Sequence, residues 1–170
     1  MLERSGFRAI TVFVALLAAA VGTAGFAAQA PHTAPWLGEW RLNMEKSDFR
    51  SGPPTFKRVT CVIEPWEDGV RVIYDIVGTR GGVTHTEWSG RFDGRDYPVQ
   101  GVDTALTNAY TRIDDRTYDI VTRVEGIVEA TARVTVSPDG QTITTLTTIR
   151  NRQAGNIVTT TVYERRSPAG

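Results

Sequence analysis

The chain has 170 residues, 19 Lys+Arg against 19 Asp+Glu, two His and one Cys. That length suits a single domain. The balanced charge provides no basic stripe to displace phosphate counterions, which argues against a nucleic-acid binder. Cys61 alone cannot build a disulfide framework within the chain.

In chain order, residues 1–30 have the layout of a secretory signal peptide. Arg4 and Arg8 precede an uncharged apolar stretch from Ile10 to Val21, and a segment rich in small residues runs from Gly22 to Ala30. Cleavage after Ala27 would leave Gly25 and Ala27 at the small-residue positions. The alternative is a retained anchor, since Ile10 to Ala28 is just long enough to cross a bilayer. The expectation is removal, with no stable membrane span afterwards and a periplasmic or secreted protein. Residues 31–35 then read as a short linker, 36–166 as one domain and 167–170 as a disordered tail. In an oxidising compartment a free thiol is best buried, and Cys61 alternates with Val59 and Ile63 on one strand face.

From Pro31 onward there are 21 Thr, 15 Val and 9 Ile but only four Leu. Branched side chains lose rotamer freedom in a helix and suit a pleated surface, so the domain reads as all-β. Strands are expected near 37–43, 56–65, 70–78, 83–92, 105–113, 117–124, 127–137, 141–150 and 156–165. Turn signals separate most of them, among them Asp68-Gly69, Gly81-Gly82, Asp93-Gly94, Glu125-Gly126 and Asp139-Gly140. Val128, Ala130, Ala132, Val134 and Val136 alternate with polar residues, the pattern of a strand buried on one face. A meander of such strands has exposed edges unless it closes. The expected architecture is therefore an antiparallel up-and-down β-barrel of eight or nine strands, with a β-sandwich as the alternative. Within 44–55, Ser47 and Asp48 suggest the cap of one short helical turn after the first strand, acting as a plug or a lid at a barrel end.

Gly38-Glu39-Trp40 on the first strand resembles the opening Gly-x-Trp motif of lipocalins. The resemblance implies that Trp40 closes one barrel end under an arginine from a late strand, with Arg150 and Arg165 as candidates. Trp40-Arg41-Leu42-Asn43, Lys46-Ser47-Asp48-Phe49, Gly52-Pro53-Pro54, Asp93-Gly94-Arg95-Asp96-Tyr97-Pro98-Val99 and Ser137-Pro138-Asp139-Gly140 also resemble a group of small exported bacterial proteins described as lipocalin-like. That likeness implies fold and compartment.

Chemistry-bearing patterns are sparse. His85 and Glu87 share a strand face and would be either an acid/base dyad or an exposed polar pair. No zinc or calcium spacing, nucleophile elbow or phosphate loop occurs, so no catalytic residue, metal site or cofactor site is assigned. In the Asp93–Val99 segment, Asp93, Gly94, Asp96 and Pro98 form a structural turn motif, with Tyr97 placed to reach over a barrel mouth. Tyr74, Trp88 and Tyr110 would either fill the barrel or line a cavity, with Thr86, Thr122 and Thr160 adding hydrogen-bonding points. The expected role is non-catalytic binding or carriage of a small, partly apolar molecule, with Tyr74, Trp88, Tyr97 and Tyr110 as its contacts. The alternative is a solid barrel that contacts another envelope protein or a cell-wall component through strands 141–149 and 156–163.

Overall fold

A computed structural model describes residues 34–50, 53–151, 153 and 155–166. The segment 1–30 read as a signal peptide, most of the expected linker and the expected tail 167–170 lie outside the described residues. Ten antiparallel strands follow in chain order: β1 (Gly38–Asp48), β2 (Phe56–Trp66), β3 (Gly69–Gly78), β4 (Val83–Gly90), β5 (Asp93–Gln100), β6 (Leu106–Arg112), β7 (Thr117–Val124), β8 (Ile127–Val136), β9 (Thr142–Ile149) and β10 (Ile157–Arg165). Each pairs with its neighbours in sequence, and β10 pairs back on β1 through Trp40↔Arg165 and Leu42↔Tyr163. The result is a closed up-and-down barrel, which leaves no free sheet edge.

Two expectations are corrected. The barrel has ten strands, because Asp93–Gln100 forms one of its own. The turn after β4 falls at Arg91 and Phe92, whereas Asp93-Gly94 makes a bulge inside β5. There the register moves from Asp93↔Thr111 to Asp96↔Ala109, Gly94 has φ +75°, and the Asp93 carboxylate accepts the Arg95 N–H at 3.0 Å. Asp-Gly supplies the same positive φ to a bulge as to a hairpin turn, so the dipeptide fits both.

The second correction concerns the helical turn expected after β1. No helix occurs among the described residues, and β1 continues to Asp48 through an irregularity between Asn43 and Asp48. Asn43 Oδ1 accepts the N–H groups of Glu45 and Lys46, each at 3.0 Å. Ser47 Oγ donates to the Asn43 carbonyl at 2.6 Å and accepts the Val162 N–H at 3.0 Å. Ser47, read as a helix cap, thus joins Asn43 in standing in for the backbone where the strand bulges, while Asp48 accepts from Arg50 Nε at 2.8 Å.

Barrel width grows with strand number, so ten strands enclose more space than eight. At the end where β1 begins, aromatic rings fill it. Trp36 and Trp40 are buried there, and Trp40 Nε1 donates to the Trp36 carbonyl at 2.8 Å. Trp36 meets Phe92 at 5.3 Å and Tyr118 at 5.5 Å between ring centroids. Arg165 stacks over Trp40 at 4.1 Å and donates to the carbonyls of Pro35, Leu37 and Gly140 at 2.6–2.7 Å. One guanidinium therefore ties the chain ahead of β1 to the β8–β9 hairpin. Arg150, the other candidate, lies beyond β9 at the opposite end.

The outer face is wet and laced with ion pairs, such as Arg133–Asp119, Arg71–Glu87 and Arg123–Asp96. Exposed pairs of this kind contribute little each, so closure and core packing carry the stability. A Cβ at Gly90 would lie 2.5 Å from Trp88 Cζ2 and 2.8 Å from Tyr97 Cδ2. Gly90→Ala is accordingly expected to cost about 1–3 kcal/mol through overpacking, read as a lower urea midpoint at unchanged slope.

Candidate functional site

Beyond the packed end the core opens into a cleft of about 240 Å³. Tyr74 and Val72 from β3, Thr86 and Trp88 from β4, Val99 from β5, Leu106, Asn108 and Tyr110 from β6, and Thr122 from β7 form its walls, while Val102 and Glu87 contribute at its edge. Three of the four residues picked out in sequence, Tyr74, Trp88 and Tyr110, are thus brought together.

The walls are held by packing and a few hydrogen bonds. Trp88 lies flat on Tyr110, with centroids 3.9 Å apart and planes 14° apart, and its Nε1 donates to the Asn108 carbonyl at 3.1 Å. Tyr110 in turn stacks on Tyr118 at 5.4 Å. Thr122 Oγ1 donates to Asn108 Oδ1 at 2.8 Å, which leaves the NH₂ group of this cleft-lining amide as a donor. Apolar walls with a few fixed polar points are the usual make-up of a small-molecule site.

The cleft opens beside an incomplete seam. β4 and β5 pair only at Glu87↔Gln100 and Trp88↔Val99. The next pair would join Ser89 to Pro98, and proline has no N–H to offer. On the other side, Gly101 turns the chain away with φ +82°, its Cα so close to the His85 carbonyl that a Cβ would collide with it. The loop it begins brings Val102 to the cleft edge.

Tyr97, the fourth residue, stands apart. Its ring meets Trp88 edge-on at 6.0 Å, and its hydroxyl donates to Asp93 Oδ2 at 2.9 Å near the packed end. The Arg95 N–H first, and the Tyr97 hydroxyl with it, hold the Asp93 carboxyl below the usual range. Asp93, Gly94 and Pro98 shape β5, and Asp96 accepts from Arg123 Nη1 at 2.6 Å. Thr86 and Thr122 line the cleft. Thr160, in register with Leu146 on the outward row, does not share the inward face of Tyr163.

His85 and Glu87 do not bond to each other. His85 Nδ1 lies 2.7 Å from Asp75 Oδ1, and Glu87 accepts from Arg71 Nη2 at 2.6 Å, with Glu64 3.5 Å from the same guanidinium. Among the described residues no group of three or more His, Cys, Asp or Glu side chains gathers as metal ligands.

Sequence reasoning missed Val99, Val102, Leu106 and Asn108. The available signal was Val99, spaced two residues from Tyr97 as in a strand, which the reading of Asp93–Val99 as a turn concealed.

Deeper in the barrel, Cys61 on β2 lies opposite both Trp40 on β1 and Tyr74 on β3. Burial pushes the Cys61 thiol up to about 12, against a hydrogen bond with Tyr74. Tyr74 is raised well above the usual phenol range, first by Cys61 and then by burial. Burial is the main cause of the upward shifts of Tyr110, Tyr118 and Tyr163. These groups are therefore protonated at neutral pH and able to donate. Searches against protein-family models and among curated proteins find no match to this chain.

Proposed function

We propose that the protein is an exported, lipocalin-like barrel that binds or carries a small, partly apolar molecule in the cleft between β3, β4 and β6. The observation that carries this reading is the convergence of Tyr74, Trp88 and Tyr110 with Thr86, Asn108 and Thr122 around one opening. At about 240 Å³ the cleft lies below the roughly 300–1,000 Å³ of drug-sized sites, so the guest is small or projects past the edge. The reading is non-catalytic, because the groups lining the cleft are protonated phenols, hydroxyls and an amide rather than a paired base and nucleophile. Export is supported by the order of residues 1–30, and a buried free thiol suits that compartment.

Native mass spectrometry of protein purified from its own host tests the reading. The expected spectrum carries a low-mass adduct that disappears on denaturation and is reduced in a Trp88→Ala variant. A bare polypeptide mass in gentle conditions, with no small molecule recovered by extraction, would contradict it.

A second reading has one specific observation in its favour. Leu146 on β9 and Val158 on β10 are 48% and 43% exposed, and Ile127 and Val128 on β8 are 44% and 38% exposed. Apolar residues turned outward on adjacent strands suit contact with another envelope protein. Pull-down with a Leu146→Glu/Val158→Glu variant separates the readings, since partner contact would be lost while the cleft adduct persists.

A further inference from the structure

The interior beyond the cleft contains donors without acceptors. Tyr110 and Tyr118 are 3% and 4% exposed, and their hydroxyls, like that of Tyr163, form no hydrogen bond among the described residues. These oxygens are not sealed in protein either. Among the described residues, the sealed side-chain polar atoms without a partner are Trp36 Nε1 and Arg71 Nε. Of the three phenols, Tyr110 lines the cleft and Tyr118 stacks against the Tyr110 ring. Buried polar groups are almost always satisfied, so the unmet hydroxyls of Tyr110 and Tyr118, with that of the half-buried Tyr163, leave donors for an occupant.

The position of these groups links them to the cleft. Tyr74 and Tyr110 belong both to its wall and to the phenol group around Cys61. Tyr118 stacks against Tyr110, and Tyr163 is the cross-strand partner of Leu42, two residues along β1 from the Trp40 that faces Cys61. Because Trp88 and Tyr118 both stack on the Tyr110 ring, a guest in the cleft meets Tyr110 at its edge.

We infer that this niche recognises the oxygen of a neutral, planar carbonyl compound whose ring occupies the cleft. The inference rests on the carrier reading above and adds the guest's chemistry. Neutral O–H groups donate to a carbonyl oxygen without creating charge. A carboxylate would need a cation, because burying an unpaired charge is costly. The guanidiniums at the packed end are already committed, Arg165 to three carbonyls and the Trp40 face, and Arg112 to the Asp114 carbonyl, the Asp115 carboxylate and the Trp36 face. A plain hydrocarbon would fill the cleft but leave the hydroxyls unmet, which loses the hydrogen-bond contribution.

The test compares three molecules of nearly one shape, acetophenone, α-methylstyrene and benzoate, by NMR titration of the full protein. Acetophenone is expected to bind about three- to tenfold more tightly than α-methylstyrene, the worth of one or two modest hydrogen bonds, with benzoate weakest. In a Tyr110→Phe/Tyr118→Phe/Tyr163→Phe variant the ketone's advantage over the hydrocarbon should fall to parity. These substitutions remove hydroxyls that hold nothing in the protein, so the thermal midpoint should be unchanged or higher. Equal binding of ketone and hydrocarbon to the unaltered protein would overturn the inference and leave the carrier reading standing. Tightest binding of benzoate would overturn its neutral character. Binding of none of the three would overturn the cleft as a site, and the inference with it.

Discussion

Trp40→Ala is expected to be among the most damaging single substitutions, lowering stability by about 3–5 kcal/mol. Trp40 is fully buried, and its ring is the surface on which Arg165 lies. Its removal leaves a large cavity at the packed end and frees the Trp36 carbonyl that its Nε1 satisfies. Arg165 is the second half of the same device. Its guanidinium bonds three backbone carbonyls contributed by Pro35, Leu37 and Gly140 while stacking on the indole. A lysine ammonium is a point charge without a planar face, so Arg165→Lys keeps a charge but loses both stack and fork, for an expected loss of about 2 kcal/mol or more. Urea denaturation of the two single variants and their double variant measures this. The double variant should lose less than the sum of the singles, because each single change already breaks the shared contact. A loss below about 1 kcal/mol for Trp40→Ala would show that the packed end is not formed as described.

Alkaline unfolding is the second large effect. Cys61, Tyr74, Tyr110, Tyr118 and Tyr163 all have folded-state values above those of the unfolded chain, with burial the first cause for all but Tyr74, where Cys61 leads. A raised value means that the folded state keeps its proton while the unfolded chain releases it. Stability is therefore fully present below the unfolded values and falls as pH rises through them toward the folded ones. The loss begins near the thiol model value of 9.0 and steepens above the phenol value of 10.0. Each group costs about 1.4 kcal/mol per pH unit beyond its unfolded value, so by pH 11 the five together remove on the order of 8 kcal/mol. That is comparable to the whole stability of a small domain. Circular dichroism and phenolate absorbance are expected to change together in one cooperative step between about pH 10 and 11.5. Gradual phenolate absorbance with the fold intact would mean that the tyrosines are solvated, which would also remove the donors invoked for the niche.

Much of the barrel is legible in the sequence, for reasons tied to particular residues. The period-2 run from Val128 to Val136 specifies a half-buried strand. β-branched residues crowd the domain, and the Gly-x-Trp motif places Trp40 where a late arginine covers it. β5 was harder to read. Asp93-Gly94 carries hairpin chemistry, and whether it turns a chain or bulges a strand depends on Thr111 and Ala109, its partners about fifteen residues away. Asn43 and Ser47 pose the same ambiguity, since an Asn or Ser that caps a helix can equally bridge a bulge once β10 lies alongside. Tyr74, Trp88 and Tyr110 could be picked as interior aromatics, yet their union in one cleft follows from strand order. Tyr97 shows the limit most plainly, because Asp93 draws its hydroxyl toward the packed end and away from the opening.

The cleft and the niche exist only because β1 and β10 meet, and that seam is open to direct measurement in solution. Nuclear Overhauser spectra of the labelled protein should contain Hα–Hα cross-peaks joining Trp40 to Arg165 and Leu42 to Tyr163, the pairs that complete the ring. The Arg166 N–H, which donates to the Glu39 carbonyl at 2.8 Å, should exchange as slowly as amides on central strands. Absence of those cross-peaks, with β1 and β10 amides exchanging at the rate of a free edge, would contradict the closed barrel and every site placed inside it.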